Sequence, residues 1–334
     1  MNWNVGYSST YYLSTVDKVT WRDINRIEIT DGSITRSEEA LRCSAQVGCV
    51  DFDQSREHWV RIWLDARQND ETVHIPLFTG LTSSPNKQIN GALTTNQVQC
   101  YSVLKPCEDI LLPRGWYAPE GVRGTTIIKQ LLLVTPAPVV VDENAPALQE
   151  SIVAEEGESN LTMIDKILTA INWRMRIQGD GTIEILPKAI EHNITYDPLE
   201  NDALEPEIEV EYDWYSAPNV FRAIADGVAG EARDESEESN LSIANRGREV
   251  WMQETSCELN VGETAEDYAR RRLKEVQRIA LKVSYNRRFN PDLLVTDLVG
   301  LHYPKQEVDG AFYIRSQQIE LQYGARTSEE VILS

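Results

Sequence analysis

A chain of 334 residues is too long for one ordinary core and predicts two or three domains. Its 53 acidic residues against 32 basic ones give a formal charge of −21, a surface that repels nucleic acid and anionic membranes. With 41% hydrophobic residues the chain can still bury a sizeable core.

The opening stretch MNWNVGYSSTYYLSTVDKVTW has no basic segment ahead of an apolar run, so it does not read as a signal peptide. From about residue 19 to 103 the pattern is that of strands. NRIEITDGSITRS predicts two short strands around an Asp31-Gly32 hairpin turn. In HWVRIWLDARQNDETVHIPLFTGLTSS, Val60, Ile62 and Leu64 alternate with Trp59, Arg61 and Trp63, the period of a strand with two distinct faces. RQNDE is the turn, and Pro76 in the return strand predicts an edge or a bulge. NQVQCYSVLKP closes the unit, which reads as a small barrel or sandwich.

The texture changes between about 104 and 200. RGTTIIKQLLLV predicts a helix. GESNLTMIDKILTAINWRMRIQGDGTIEILP predicts a helix capped by Ser159 or Asn160, a strand, a Gly-Asp-Gly turn at 179–181 and a second strand. TPAPVVVDENAPALQESIVAEEG, rich in proline and carboxylates, predicts an extended surface excursion. The longest apolar run, IIKQLLLVTPAPVVV, is broken by Lys129, Gln130 and two prolines, so no membrane insertion is expected.

From about 201 the chain reads as strands again. NVFRAIADGVAGEARDESEESNLSIANRGR starts as a strand and turns into a polar loop bearing Asp234, Glu235, Glu237 and Glu238. In GETAEDYARRRLKEVQRIALKVSY, Thr264 caps a helix with Asp267 in capping-box position. Ala265, Tyr268, Ala269, Leu273, Val276 and Ala280 form its apolar stripe, which predicts a helix lying close over a sheet. The outer two sections read as copies of a related β unit. The expected fold class is α+β and β-rich, with barrel-like domains at 1–103 and 201–334, a module at 104–200, and a flanking helix at 264–280.

Motifs of chemistry are weak. There is no GxSxG, HExxH, Walker or GxGxxG pattern, and no cofactor motif. The five cysteines (Cys43, Cys49, Cys100, Cys107, Cys257) form no CxxC pair and read as reduced, mostly buried thiols. His74 and His302 read as structural or surface imidazoles. An alternative class is a carbohydrate-active β protein: a cell-wall glycan hydrolase needing two carboxylates, or a receptor-binding module using exposed tryptophans.

The order of the pieces points elsewhere. HIPLFTGLTSS closes the first β unit, PEGVRGTTIIKQLL and the Gly-Asp-Gly module follow, and YSAPNVF, GETAEDYARRRLKEVQ and NPDLLVTDLVGLHYP lie in the last section. This arrangement resembles the hub proteins of phage tail tips and baseplates. It is also similar to the N-terminal structural region of prophage tail-associated endopeptidase proteins.

The resemblance implies a non-enzymatic virion protein of the tail tip, made in the host bacterial cytoplasm. It implies a homotrimer of two tube-type barrels per chain, adapting a sixfold tube to a threefold tip. The implied partners are the distal tail protein ring, the C-terminal end of the tape-measure protein, and tip or fibre proteins. Genome DNA passes through the lumen without specific binding, and an acidic lining would not hold phosphates. The candidate interface or lumen residues are Trp59, Trp63, Phe78, Asp234, Glu235, Glu237 and Glu238, with the 135–158 excursion as a further contact. Any peptidase or lysozyme activity is expected on another chain, since this one stops just after the second barrel.

Overall fold

The computed structural model describes residues 1–3, 5–38, 41–50, 52–53, 55–83, 86–90, 93–142, 144–188, 192–196, 204–225, 227–255, 257, 259, 262–278, 281–303 and 308–333. The first section contributes β1 (Ser8–Val16), β2 (Ile27–Ser37), β3 (Cys43–Cys49), β4 (Trp59–Gln68), β5 (Glu71–Thr82), β6 (Asn86–Asn90) and β7 (Leu93–Ser102). Six of them close into a barrel in the order β1-β4-β5-β7-β3-β2, with β2 returning to β1. Val60, Ile62 and Leu64 of β4 are fully buried, as the alternation predicts. They meet Leu13, Ile34, Val47, Phe78 and Val98 in the barrel core. Pro76 does sit at a bulge, where the β4–β5 register shifts between Ile62 and Trp63.

Asp31-Gly32 is not a hairpin turn. β2 runs unbroken through it, with a register shift against β3 between Ile29 and Asp31. Gly32 lies so close to β3 that a Cβ would meet the Gln46 carbonyl oxygen at 2.5 Å. Glycine here serves close backbone approach rather than reversal. The shift marks a change of partner. Ile27 and Glu28 pair with β1, whereas Ser33–Ser37 pair with a strand of the second barrel. β1 itself lies in the N-terminal stretch, ahead of the residues that read as strand.

The middle section holds α1 (Lys105–Asp109), β8 (Tyr117–Ala118), α2 (Gly124–Leu131), β9 (Val139–Val141), β10 (Ile152–Val153), α3 (Asn160–Ala170), β11 (Trp173–Ile177) and β12 (Ile183–Pro187). Ser159 caps α3 by accepting from the Thr162 amide at 3.1 Å. The 135–158 segment is no surface excursion. β9 pairs parallel with β12, and Ala137, Ala145, Leu148 and Ile152 are buried with α2 and α3. Its small and aliphatic residues pack inward while Glu150, Glu155 and Glu156 stay exposed.

The last section contains β13 (His192–Tyr196), β14 (Leu204–Tyr212), β15 (Val220–Ala225), β16 (Val228–Arg233), α4 (Ile243–Arg246), β17 (Trp251–Thr255), α5 (Ala265–Arg278), β18 (Leu281–Arg287), β19 (Leu298–Tyr303), β20 (Val308–Glu320) and β21 (Thr327–Leu333). The second barrel-like unit follows the order β13-β19-β20-β21-β18-β14. Between β14 and β18 the chain inserts a separate sheet, β16-β15-β17. Residues 228–233, just ahead of the acidic loop, form β16 of that sheet.

The capping box of α5 forms as expected. The Asp267 amide donates to Thr264 Oγ1 at 3.2 Å, and the Thr264 amide donates to the Asp267 carboxylate at 3.3 Å. Tyr268, Ala269 and Leu273 pack on Phe221, Ala223 and Ala232. The helix therefore covers the inserted sheet rather than the barrel.

Candidate assembly surfaces and the junction between the barrels

The two barrels share one sheet through β2 and β20, with Ser33–Ser37 opposite Ser316–Glu320. Ile319, Leu321 and Ala325 from this end of the second unit, with Phe289, complete the core of the first barrel. Beside the seam lies a buried polar group. Arg287 of β18 donates to Glu329 of β21 at 2.5 Å, and Gln317 of β20 donates to the same carboxylate at 2.6 Å. Gln317 also donates to the Leu293 carbonyl at 3.1 Å, and Arg287 to the Arg288 carbonyl at 2.8 Å. Arg36 of β2, 7% exposed, donates to the Leu77 carbonyl at 2.7 Å. Such groups hold a joint in one geometry, because any displacement strands a buried charge.

The module clamps both barrels. Its Gly-Asp-Gly turn docks on the first: Trp21 Nε1 and an Arg61 nitrogen each donate to the Asp180 carbonyl at 3.1 Å, and Thr79 donates to the Gly179 carbonyl at 2.8 Å. A Cβ on Gly179 would lie 1.8 Å from the Pro76 carbonyl oxygen. On the other side, Arg174 donates to the Thr296 carbonyl at 2.8 Å, and Arg176 pairs with Asp297 at 3.3 Å. Buried or half-buried arginines thus tie three units into one block.

The candidate residues separate into different environments. Phe78 is 2% exposed inside the first barrel. Trp59 is half-buried, tilted against Trp21 with ring centroids 5.6 Å apart, and packs on the module's core. Trp63 is half-buried on the outer face of the first barrel, stacked on Tyr12 at 6.1 Å, with the Arg26 guanidinium 3.8 Å over the Tyr12 ring. Asp234 orders its own loop: its carboxylate accepts from the Ser236 amide, Ser239 Oγ and Gln277 Nε2. Glu235, Glu237 and Glu238 are exposed. Sequence reasoning did not single out Arg36, Arg61, Arg174 or Arg287. A charged residue alternating with apolar ones reads as solvent-facing, and nothing local marks a second layer above that face.

Chemistry-bearing groups stay scattered. Among the described residues no cluster of three or more His, Cys, Asp or Glu is arranged to hold a metal. His74 faces Asp65 at 2.6 Å and His302 faces Asp309 at 2.8 Å, both imidazoles exposed. A crevice of about 550 Å³ between the 148–153 segment and the inserted sheet is lined by Leu148, Ile152, Ile224 and Cys257, with Glu150 as the carboxylate among its described residues. No helix is long and apolar enough to cross a membrane among the described residues.

The shape of the whole chain identifies its fold. A 43 kDa tail protein of prophage MuSo2 from Shewanella oneidensis superposes with a TM-score of 0.73 over 98% of this chain and 97% of its own, at 13% identity. The chain has the fold of phage tail proteins. A tail protein from Neisseria meningitidis gives 0.72 over 98% and 96% at 13% identity. Prophage tail protein gp18 from Listeria monocytogenes gives 0.59 over 97% and 94% at 12% identity. No family model and no curated protein matches the sequence. The expected tail-type fold, with small barrel-like domains around an α+β module, is therefore present.

Proposed function

We propose that the chain is a structural subunit of a phage tail tip or baseplate hub, in which three copies close into a ring around the path of the genome. Residues 1–103 supply the first tube-type barrel of each copy, 201–334 together with β13 supply the second, and the rest of 104–200 supplies the module that braces them. Six barrels per ring adapt a sixfold tube to a threefold tip. The observation that carries this reading is the pair of six-stranded units fused through one continuous sheet, within a fold otherwise seen in prophage tail proteins. The clamping arginines support a mechanical role, since they remove freedom between units.

The proposed partners are the distal tail ring, the end of the tape-measure protein, and tip or fibre proteins, with no enzymatic step on this chain. Trp63 and the exposed Glu235, Glu237 and Glu238 are the proposed partner or lumen contacts, whereas Trp59 and Phe78 hold the subunit together. Three copies carry three times the −21 charge, and a carboxylate-lined channel lets DNA slide. Electron microscopy of the assembled protein tests this. Class averages are expected to show a threefold ring with a central opening, and that assembly is expected not to retain duplex DNA at low salt. A compact particle without an opening, or tight DNA retention, contradicts it.

A further inference from the structure

The two barrels repeat one strand order. Around the first it runs β1-β4-β5-β7-β3-β2, and along the second β13-β19-β20-β21-β18-β14. β2, β3, β4, β5 and β7 thus correspond to β14, β18, β19, β20 and β21, every neighbouring pair antiparallel in both. The sixth strand departs from the repeat: β13 runs parallel to β19, whereas β1 runs antiparallel to β4.

The correspondence extends to β6. The first half of β20 pairs with β19, and its second half, Ser316–Glu320, takes β2 on that same edge, opposite β21. In the first barrel this path is divided. β5 pairs with β4 as far as Leu81, and β6 then forms a hairpin with the start of β7, as the end of β20 does with β21. β6 stands where the second half of β20 stands. The edge of β20 that receives β2 corresponds to the edge of β6 away from β7. Among the described residues, β6 pairs with β7 alone and β14 with β18 alone. One chain therefore carries the seam once, as β2 with β20, and both halves of a second seam, β14 and β6, on opposite flanks.

We infer that β14 of one copy pairs antiparallel with β6 of a second copy, repeating between subunits the β2–β20 seam within each. This deepens the ring reading above and rests on it. The occupant is a second copy because the chain already displays this pairing between its own barrels. The contact is head-to-tail, and it closes a ring when the rotation per copy divides the circle. Glu207, Glu209 and Glu211 are exposed along β14 while Ile208 and Val210 face the core. A carboxylate row on an open edge discourages indiscriminate pairing, but it leaves the backbone donors and acceptors of that edge free.

Equivalent terminal pairs set the register. Arg36–Cys43 matches Tyr212–Leu281, and Ile319–Thr327 matches Asn90–Leu93. Glu211 then takes the place of Thr35, and Ile89 the place of Gln318, which are partners across the intrachain seam. Directly opposed residues of an antiparallel pair lie ~4.5–5.5 Å apart at Cα, within disulfide reach.

The test is oxidative cross-linking of the full chain carrying Ile89→Cys and Glu211→Cys, at a concentration where light scattering shows the wild type assembled. Both positions are exposed, so the fold should persist. The double variant is expected to give covalent dimers and trimers, each single variant none, and a mixture of the two singles dimers only. In unmodified protein, amides of 86–90 and 208–212 are expected to gain at least tenfold protection from exchange on assembly. An assembled wild type whose double variant does not cross-link and whose amides gain no protection overturns the strand pairing and leaves the ring reading standing. Cross-linking by the Glu211→Cys single variant alone overturns it also, since that contact is twofold. A wild type that stays monomeric in every condition, including with its tail partners, overturns both.

Discussion

Arg287 and Glu329 meet at 2.5 Å with both side chains sealed from solvent, beside the strands that fuse the two barrels. Removing one partner leaves the other charged and buried, which costs ~3–5 kcal/mol. Arg287→Met and Glu329→Leu are each expected to lower unfolding free energy by about that amount, with the double variant less impaired than the sum. Denaturant titration of the three variants checks this, and additive losses would mean that the two residues act independently.

The docking of the module depends on a residue without a side chain. Gly179→Ala places a methyl 1.8 Å from the Pro76 carbonyl oxygen, so the turn must lift from β5. Such overpacking costs ~1–3 kcal/mol. Limited proteolysis is expected to cut near residues 178–182 in this variant. Gly6→Ala, whose added methyl meets nothing within 4 Å, is the control, and equal cleavage at 178–182 in both variants would contradict the docking.

Helix α5 and the inserted sheet carry an acid-sensitive link. Burial raises the Glu254 carboxyl, but hydrogen bonds from Arg272 and Tyr268 outweigh it and hold the group below the usual carboxylate range. A depressed folded pKa gives stability that is present above the unfolded pKa of ~4.3 and lost as pH falls through the folded value. The wild type is therefore expected to lose stability below pH ~4, and Glu254→Gln to show a smaller loss over that window. Melting temperatures from pH 7 to 3 measure it, and identical pH slopes would refute the link.

Thiol reactivity reads burial directly. Burial pushes the Cys107 thiol up to about 12, and Cys43 up to about 12 against the pull of Arg36. Cys49 and Cys100 lie in the first barrel's core, and burial raises Cys100 too. Cys257 is half-buried beside the inserted sheet. Cys43 is half-buried as well. At pH 8 a soluble disulfide reagent is expected to titrate Cys257 first and Cys43 more slowly, with Cys49, Cys100 and Cys107 reacting only on denaturation. Fast reaction of two or more thiols in the folded protein would contradict the packing described.

The legible parts of this fold were those with a strong period or a local signature. The β4–β5 hairpin, α3 with its Ser159 cap and α5 with its capping box could be read because the information sits within one element. Asp31-Gly32 misled because its cause is distant: β2 stays paired with β3 there while its other edge passes from β1 to β20 of the second barrel. The 135–158 segment misled because proline and carboxylates marked it as exposed, while Ala137, Ala145 and Leu148 between them pack inward. The joint was illegible for the same reason. Arg36, Arg61, Arg174 and Arg287 take their roles from partners up to 122 residues away.

The mass of the assembled protein tests the central claim most directly. Light scattering across a range of concentrations is expected to resolve a particle of three times 37.9 kDa, in solution or with the neighbouring tail proteins present. A strict monomer of 37.9 kDa under both conditions would contradict the ring.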